Sequence, residues 1–280
     1  MQRKSFIKML SILPLLPDTE KLAAVLQLPG HFREGEKMPV FFIGHGNPAN
    51  AFRDNPFTRS LQAMGNALQT RPSTILVVSA HWQTLGETLI STKNTFTTPE
   101  YKVSGSPEYA RAILQEIPAL KEEEYRELDH GAWAILRHIA PARDIPVLEL
   151  SIDMGQPASY HWKLAQQLKS LRSKGVLIIG SGNIVHNLEL SALKMATLSS
   201  KPFHWALEFD QWVKGRIDER DFSSLFFYYK LGKIADLAVP TTDHFIPMLY
   251  SLALADANEP ISYTYEEVFS GISMRCLRIG

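Results

Sequence analysis

The chain has 280 residues, 45% of them hydrophobic and 21% charged, enough for one sizeable core or two small ones. Lysine plus arginine equals aspartate plus glutamate at 29 each, so the charge balance points to neither nucleic acid nor a membrane surface. Cys276 is the single cysteine, which excludes an intrachain disulfide and a cysteine-rich zinc site, and no apolar run approaches the ~20 residues of a membrane span.

In chain order, residues 1–37 read as an N-terminal arm with a short helix over Thr19–Gln27, capped by Asp18. Its first residues bear a faint likeness to an export signal. Pro14 and Pro17 interrupt the apolar part, Lys8 lies inside it and no small-x-small cleavage site follows, so the expected location is the cytoplasm. Pro39–Ile43 is a short apolar run before Gly44-His45-Gly46 and predicts a buried strand. Thr58–Gln69 predicts a helix, with Leu61, Met64 and Leu68 on one side. Thr74–Val78 predicts the next strand, ending at Ser79-Ala80-His81, and Thr88–Ser91 a weaker one. Ser106 is placed to cap a helix that opens at Pro107 and runs to about Ile117. Gly131–Ile139 reads as helix, Val147–Ser151 as strand, Ala158–Ser173 as an amphipathic helix stopped by Gly175, and Val176–Ile179 as strand. Phe203–Ile217 and Met248–Leu254 predict helices on either side of a loop at Pro240–Pro247, and the tail has strand-like pieces at Ile261–Tyr265 and Ser273–Ile279. Strands alternating with helices predict an α/β fold in residues 38–280: one domain, its central sheet largely parallel or mixed, with helices on both faces.

Five histidines sit in Gly-, Ser- or Asp-rich patches: His45, His81, His130, His186 and His244. Three of them closely follow apolar runs, and the strand ends of an open α/β sheet converge on the crevice where ligands bind. Several imidazoles brought there from distant parts of the chain are what a mononuclear metal centre needs. None of the spacings is a local metal motif, and a single buried histidine taken alone is more often a hydrogen-bonded structural residue than a ligand. His31, His138, His161 and His204 take that structural reading, because they lie in a polar segment or in predicted helices without small neighbours. Asp243 is placed to orient an imidazole. Phe52, Trp82, Trp133, Phe245 and Tyr250 are candidates to stack on an aromatic ring, or core residues.

The ordered blocks Gly44-His45-Gly46-Asn47-Pro48, Ser79-Ala80-His81-Trp82, Asp129-His130-Gly131-Ala132-Trp133, Leu150-Ser151-Ile152-Asp153, Gly182-Asn183-Ile184-Val185-His186-Asn187 and Pro240-Thr241-Thr242-Asp243-His244-Phe245-Ile246-Pro247 carry a resemblance. Together they resemble the DOPA 4,5-dioxygenase type of the LigB-like, class III extradiol ring-cleaving dioxygenases, from about Met38 to Gly280. The resemblance implies a LigB-like fold and the opening of a small, DOPA-like catechol by dioxygen at a mononuclear non-haem centre. It implies one divalent metal per chain, iron(II) for turnover, with zinc also found in members. His45, His81 and His244 are the implied ligands. His186 matches either a fourth ligand or the acid–base histidine, and His130 a histidine that contacts substrate or moves protons.

One departure is evident. The family's longer aromatic- and glycine-rich segment after the second histidine is reduced here to residues 94–107. A zinc hydrolase on the same site and a Memo-like interaction protein are the alternative functions. The expected partners are a small aromatic diol and dioxygen, with no nucleic acid and no membrane. The sequence says nothing of oligomeric state.

Overall fold

The computed structural model describes residues 36–280. Of the expected arm at 1–37, only Glu36 and Lys37 fall among the described residues, and the expected helix at 19–27 lies outside them. The described residues form an α/β domain around an eight-stranded mixed sheet.

The first half contributes β1 (Val40–Gly44), α1 (Pro56–Asn66), β2 (Thr74–Thr84), β3 (Thr88–Ser91), β4 (Thr95–Phe96), β5 (Val103–Ser104), α2 (Pro107–Glu116), β6 (Leu120–Glu123) and α3 (His130–Ile139). The second contributes β7 (Val147–Asp153), α4 (Ala158–Gln167), β8 (Val176–Gly182), α5 (Leu188–Ala196), α6 (His204–Asp218), α7 (Phe222–Leu225), α8 (Lys233–Ala238), α9 (Ile246–Ala253), β9 (Ile261–Tyr265), β10 (Val268–Phe269), β11 (Ile272–Ser273) and β12 (Cys276–Ile279). The main sheet runs β6-β3-β7-β2-β8-β1-β12-β9. Its centre, β7-β2-β8-β1, is parallel, and antiparallel pairs β3/β7, β1/β12 and β12/β9 flank it.

Every residue of β1, β7 and β8 is buried, which is why these strands read as unbroken apolar runs rather than alternating ones. On one face Phe41, Ile43, Ile75 and Val77 pack with Leu61 of α1 and Ile135 and Leu136 of α3. On the other, α9 lies across β8 and packs with α4. Asn55 and Thr58 start α1 with a reciprocal cap: Thr58 N–H donates to Asn55 Oδ1 at 2.9 Å, and Asn55 N–H donates to Thr58 Oγ1 at 3.0 Å.

Four expectations shift. β2 does not end before His81 but continues to Thr84; its pairing with β7 breaks between Val78 and Gln83, and the irregularity re-aims the strand without ending it. Ser106 holds the cap position of α2 without a side-chain bond, so Pro107 starts the helix there. The amphipathic stretch at 158–173 divides into α4 and a 3-10 turn over Lys169–Lys174, closed by Gly175 at φ +77°. The helices α5, α7 and α8 have no counterpart in the expected elements. Leu188 and Leu193 of α5 are exposed, so that helix lacks the clean apolar stripe by which helices are read from sequence.

Candidate metal centre

The parallel register sets the site. Gly44 pairs with Gly182 and Ser79 with Ser181, so the carboxyl ends of β1, β8 and β2 lie side by side. His45 leaves β1 one residue beyond Gly44, and its N–H donates to Gly182 O at 3.0 Å. His81 lies two residues beyond Ser79, still within β2. His186 follows β8, with its N–H donating to Ala238 O at 2.9 Å. His244 arrives on the loop before α9. A Cβ at Gly182 would fall 2.2 Å from His244 O, so only glycine lets that loop approach. His130 opens α3, which nests equally closely: a Cβ at Gly131 would meet Ser79 Oγ at 2.6 Å and His81 Cδ2 at 3.1 Å.

All five imidazoles singled out in the sequence therefore converge. Ring centroids are 5.0 Å apart for His45–His81, 5.3 Å for His45–His244, 4.9 Å for His81–His244 and 3.8 Å for His81–His130. His186 stacks on His244 at 3.4 Å with the planes 10° apart. The remaining histidines stay outside. His138 Nε2 bonds to Asn50 O at 2.9 Å, His161 Nδ1 lies 3.2 Å from Tyr250 Oη, and His204 is an exposed helix-start residue beside Glu208. His31 lies outside the described residues.

Hydrogen bonds orient the rings. Ser181 Oγ–H donates to Gly131 O at 2.6 Å, so Ser181 Oγ must accept from His45 Nδ1–H at 3.0 Å. His45 is thereby fixed as the tautomer with a bare Nε2. His244 Nδ1–H donates to Asp243 Oδ2 at 2.6 Å, and His244 Nε2 is buried without a partner. Each is the arrangement of a metal-ligating imidazole, whose second nitrogen is tied to an acceptor.

The electrostatics agree. Burial first, then the neighbouring imidazoles, lowers His45 well below the usual histidine value. Burial and His130 lower His81 to about 4, and burial and His244 lower His186 to about 3. Burial also lowers His130, against the opposing pull of Asp129. Burial pushes the Asp243 carboxyl up, but the hydrogen bond and charge of His244 outweigh it, and the net shift is down. These imidazoles are therefore neutral at neutral pH, as ligands and proton acceptors must be.

The residues fit a divalent ion. His81 Nε2 and His45 Nε2 face each other at 3.0 Å. With His45 Nε2 bare, only a proton on His81 can bridge them, and a bound ion would take the place of that proton. Two nitrogens each ~2.1 Å from one ion are themselves about 3.0–3.4 Å apart. Among the described residues, the candidate nitrogens of His45, His81 and His130 lie within 4.8 Å of one another. His130 thus stands nearer the first two imidazoles than the sequence indicated.

Of the aromatic candidates, Trp82, Phe245 and Tyr250 are buried core. Phe52 is exposed and lies 6.2 Å from the half-buried Trp133. The shortened segment folds down: β4 and β5 form a hairpin, Phe96 and Tyr101 are buried, and Tyr101 Oη–H donates to Ala140 O at 2.8 Å. The sequence reading missed Ser181 beside His45, because nothing in a serine inside a strand announces a neighbouring imidazole.

Comparison with known proteins identifies the family. Residues 39–273 match the family described as the catalytic LigB subunit of aromatic ring-opening dioxygenase. A protein of Escherichia coli (strain K12) named 4,5-DOPA dioxygenase extradiol is 35% identical over 266 residues, covering 87% of this chain and 95% of its own. One of the same name from Beta vulgaris is 30% identical over 252 residues, covering 83% and 92%. The crystal structure of an uncharacterized protein from Escherichia coli K12 superposes with a TM-score of 0.76 at 35% identity, covering 87% of this chain and 100% of that one. The dioxygenase reading therefore prevails over the hydrolase and interaction-protein alternatives. The chain belongs to the LigB family and is an extradiol aromatic ring-opening dioxygenase.

Proposed function

We propose that residues 38–280 form a dioxygenase domain that opens a small, DOPA-like catechol with dioxygen, using one metal ion held by His45, His81 and His244. The single observation that carries the ligand set is the state of the outward nitrogens. Ser181 and Asp243 take the Nδ1 protons of His45 and His244, leaving two bare Nε2 atoms, and His81 Nε2 lies 3.0 Å from the first of them. Iron(II) is the metal of turnover, because zinc lacks an accessible redox change and substitutes for it structurally. When bound, iron(II) supplies positive charge for an anionic catecholate and an electron path between it and dioxygen.

The chain's own residues do the rest. Three neutral imidazoles leave the charge of the ion undiminished, which favours a bound anion. His130, near His81 and held neutral by burial, accepts a phenolic proton at an imidazole nitrogen and can return it later. His186, stacked on His244, is the second proton-handling candidate or a fourth ligand. Phe52 and Trp133 offer faces for the substrate ring at the exposed side. No helix among the described residues is long and apolar enough to cross a membrane, and Cys276 is a buried free thiol. The cytoplasm remains the proposed location, on the sequence reading of the first residues alone.

The test is anaerobic reconstitution with iron(II), then oxygen uptake and the yellow ring-opened semialdehyde across a catechol panel that includes DOPA. A fully iron-loaded enzyme that stays inert across the panel overturns the substrate class. His244→Ala should lose the metal, whereas His130→Ala should keep it and turn over slowly. The reverse pattern would exchange their roles.

A further inference from the structure

β2 carries His81 through a stretch where the sheet gives it no strand partner. The register of β2 with β8 ends at Ser79 and Ser181. Its register with β7 lapses between Val78 and Gln83, so the four residues Ser79–Trp82 face the single residue Ser151. Ala80, His81 and Trp82 therefore have no register partner in either neighbouring strand. A bulge of this kind re-aims a side chain, and the main-chain groups it releases need other partners.

Side chains supply them. His81 N–H donates to Ser79 Oγ at 3.2 Å, and Gln83 Nε2–H donates to Ala80 O at 3.1 Å. The His81 carbonyl accepts from Arg126 Nη2–H at 3.0 Å. Arg126 reaches it from the loop between β6 and α3, 45 residues further along the chain. That loop is itself pinned. Tyr125 N–H and Arg126 N–H donate to Glu123 Oε1 at 2.7 and 3.3 Å, and Lys93 Nζ–H donates to Tyr125 O at 2.9 Å. The guanidinium also lies 5.3 Å from the centre of the buried Trp82 ring. Asp129 Oδ2 stands 3.7 Å from Arg126 Nη2, too far for a hydrogen bond, so the directional contact of this arginine is with the main chain of His81. With its N–H and its C=O both held, the φ and ψ of His81 are fixed, and with them the direction in which the imidazole leaves the chain. A metal site requires its side chains to be held to within about 0.5 Å.

We propose that Arg126, assisted by Gln83, is a positioning residue for His81: the two side chains stand in for the missing strand partner and hold the imidazole where its Nε2 faces His45 Nε2.

The inference rests on the proposed role of His81 as a metal ligand, and the experiment separates the two. Iron(II) affinity, from anaerobic competition titration against a chelator, is compared in the parent, Arg126→Met, Arg126→Lys and His81→Ala. Methionine keeps an unbranched stem over Trp82 and removes the donors, whereas lysine keeps one donor group. Arg126→Met should bind iron(II) about 10–100-fold more weakly, the scale of a lost outer partner at a metal site, with the denaturant midpoint of the metal-free protein near the parent value. Arg126→Lys should regain most of that affinity, because a single bond to a carbonyl needs a donor and not the guanidinium fork. Parent affinity in Arg126→Met would overturn the proposal. If the KM of a carboxylated catechol rose at that parent affinity, Arg126 would instead be a contact for substrate charge. Equal impairment of the Met and Lys variants would also overturn it. Parent iron affinity in His81→Ala would overturn the underlying ligand role of His81. Should Arg126→Met fail to fold, Gln83→Ala decides, because that exposed side chain releases only the Ala80 carbonyl. It should weaken iron binding in the same direction, and parent affinity there would overturn the proposal.

Discussion

Two buried polar clusters in this domain are built to opposite ends. Around Arg172 every group has a partner. Its Nε donates to Met38 O at 2.8 Å, and Nη1 donates to Leu254 O at 2.8 Å and to Glu259 Oε2 at 2.7 Å. Glu259 is further paired with Lys37 at 2.9 Å. That corner ties the start of β1, the end of α9 and the turn before β9 together. The imidazole cluster on the far end of the same strands is left incomplete: His244 Nε2 has no partner, and two ring nitrogens confront each other. A buried group without a partner costs roughly 1–3 kcal/mol, a cost that a bound ion would offset. The first cluster serves the fold, and in the proposed reading the second holds an ion.

The sharpest way to break this comparison is to remove one member of each. His45→Ala should abolish stoichiometric iron binding and with it oxygen uptake, while circular dichroism shows the fold retained. Metal content near the parent value in that variant would remove His45 from the site. Arg172→Ala should do the opposite. Leaving Glu259 without its buried partner should cost about 3–5 kcal/mol in denaturant unfolding, with iron per folded molecule unchanged. Asp243→Asn sharpens the contrast within the site, because it weakens the orientation of His244 without touching a ligand atom. It should lower metal affinity about 10–100-fold in a competition titration and leave the unfolding midpoint of the metal-free protein nearly in place.

Acid distinguishes the clusters more gently. In the metal-free protein, His81 binds its proton near pH 4 when folded against 6.5 for the free side chain, and His186 near 3. Between those values the unfolded chain holds more protons, so stability falls as pH drops below about 6.5. Glu259 is depressed from 4.5 to about 2: burial alone would raise it, but the Arg172 pairing outweighs that effect. Its contribution is complete above 4.5 and is lost only as pH falls from there toward 2. Denaturant melts across pH should therefore show two successive losses. His81→Ala should diminish the upper loss, and an unaltered profile in that variant would contradict the assignment.

Some of this was legible in the amino acids alone. The apolar runs Pro39–Ile43, Thr74–Val78, Val147–Ser151 and Val176–Ile179 announce the central strands, since burial on both faces leaves no polar alternation. Histidines flanked by Gly, Ser and Asp near the ends of such runs mark a crevice, and the motif blocks named the family before any coordinate did. Helices with mixed faces, such as α5, were not legible, because their packing comes from distant elements.

What the sequence by itself determined was therefore local: which segments are strands, which five imidazoles matter and roughly where along the chain they emerge. Only the tertiary structure decided which nitrogen is bare, that His130 stands beside His81, and that β2 runs on through His81. These depend on register between strands far apart in sequence and on close approaches such as His244 over Gly182, and no local pattern encodes a contact between such distant segments.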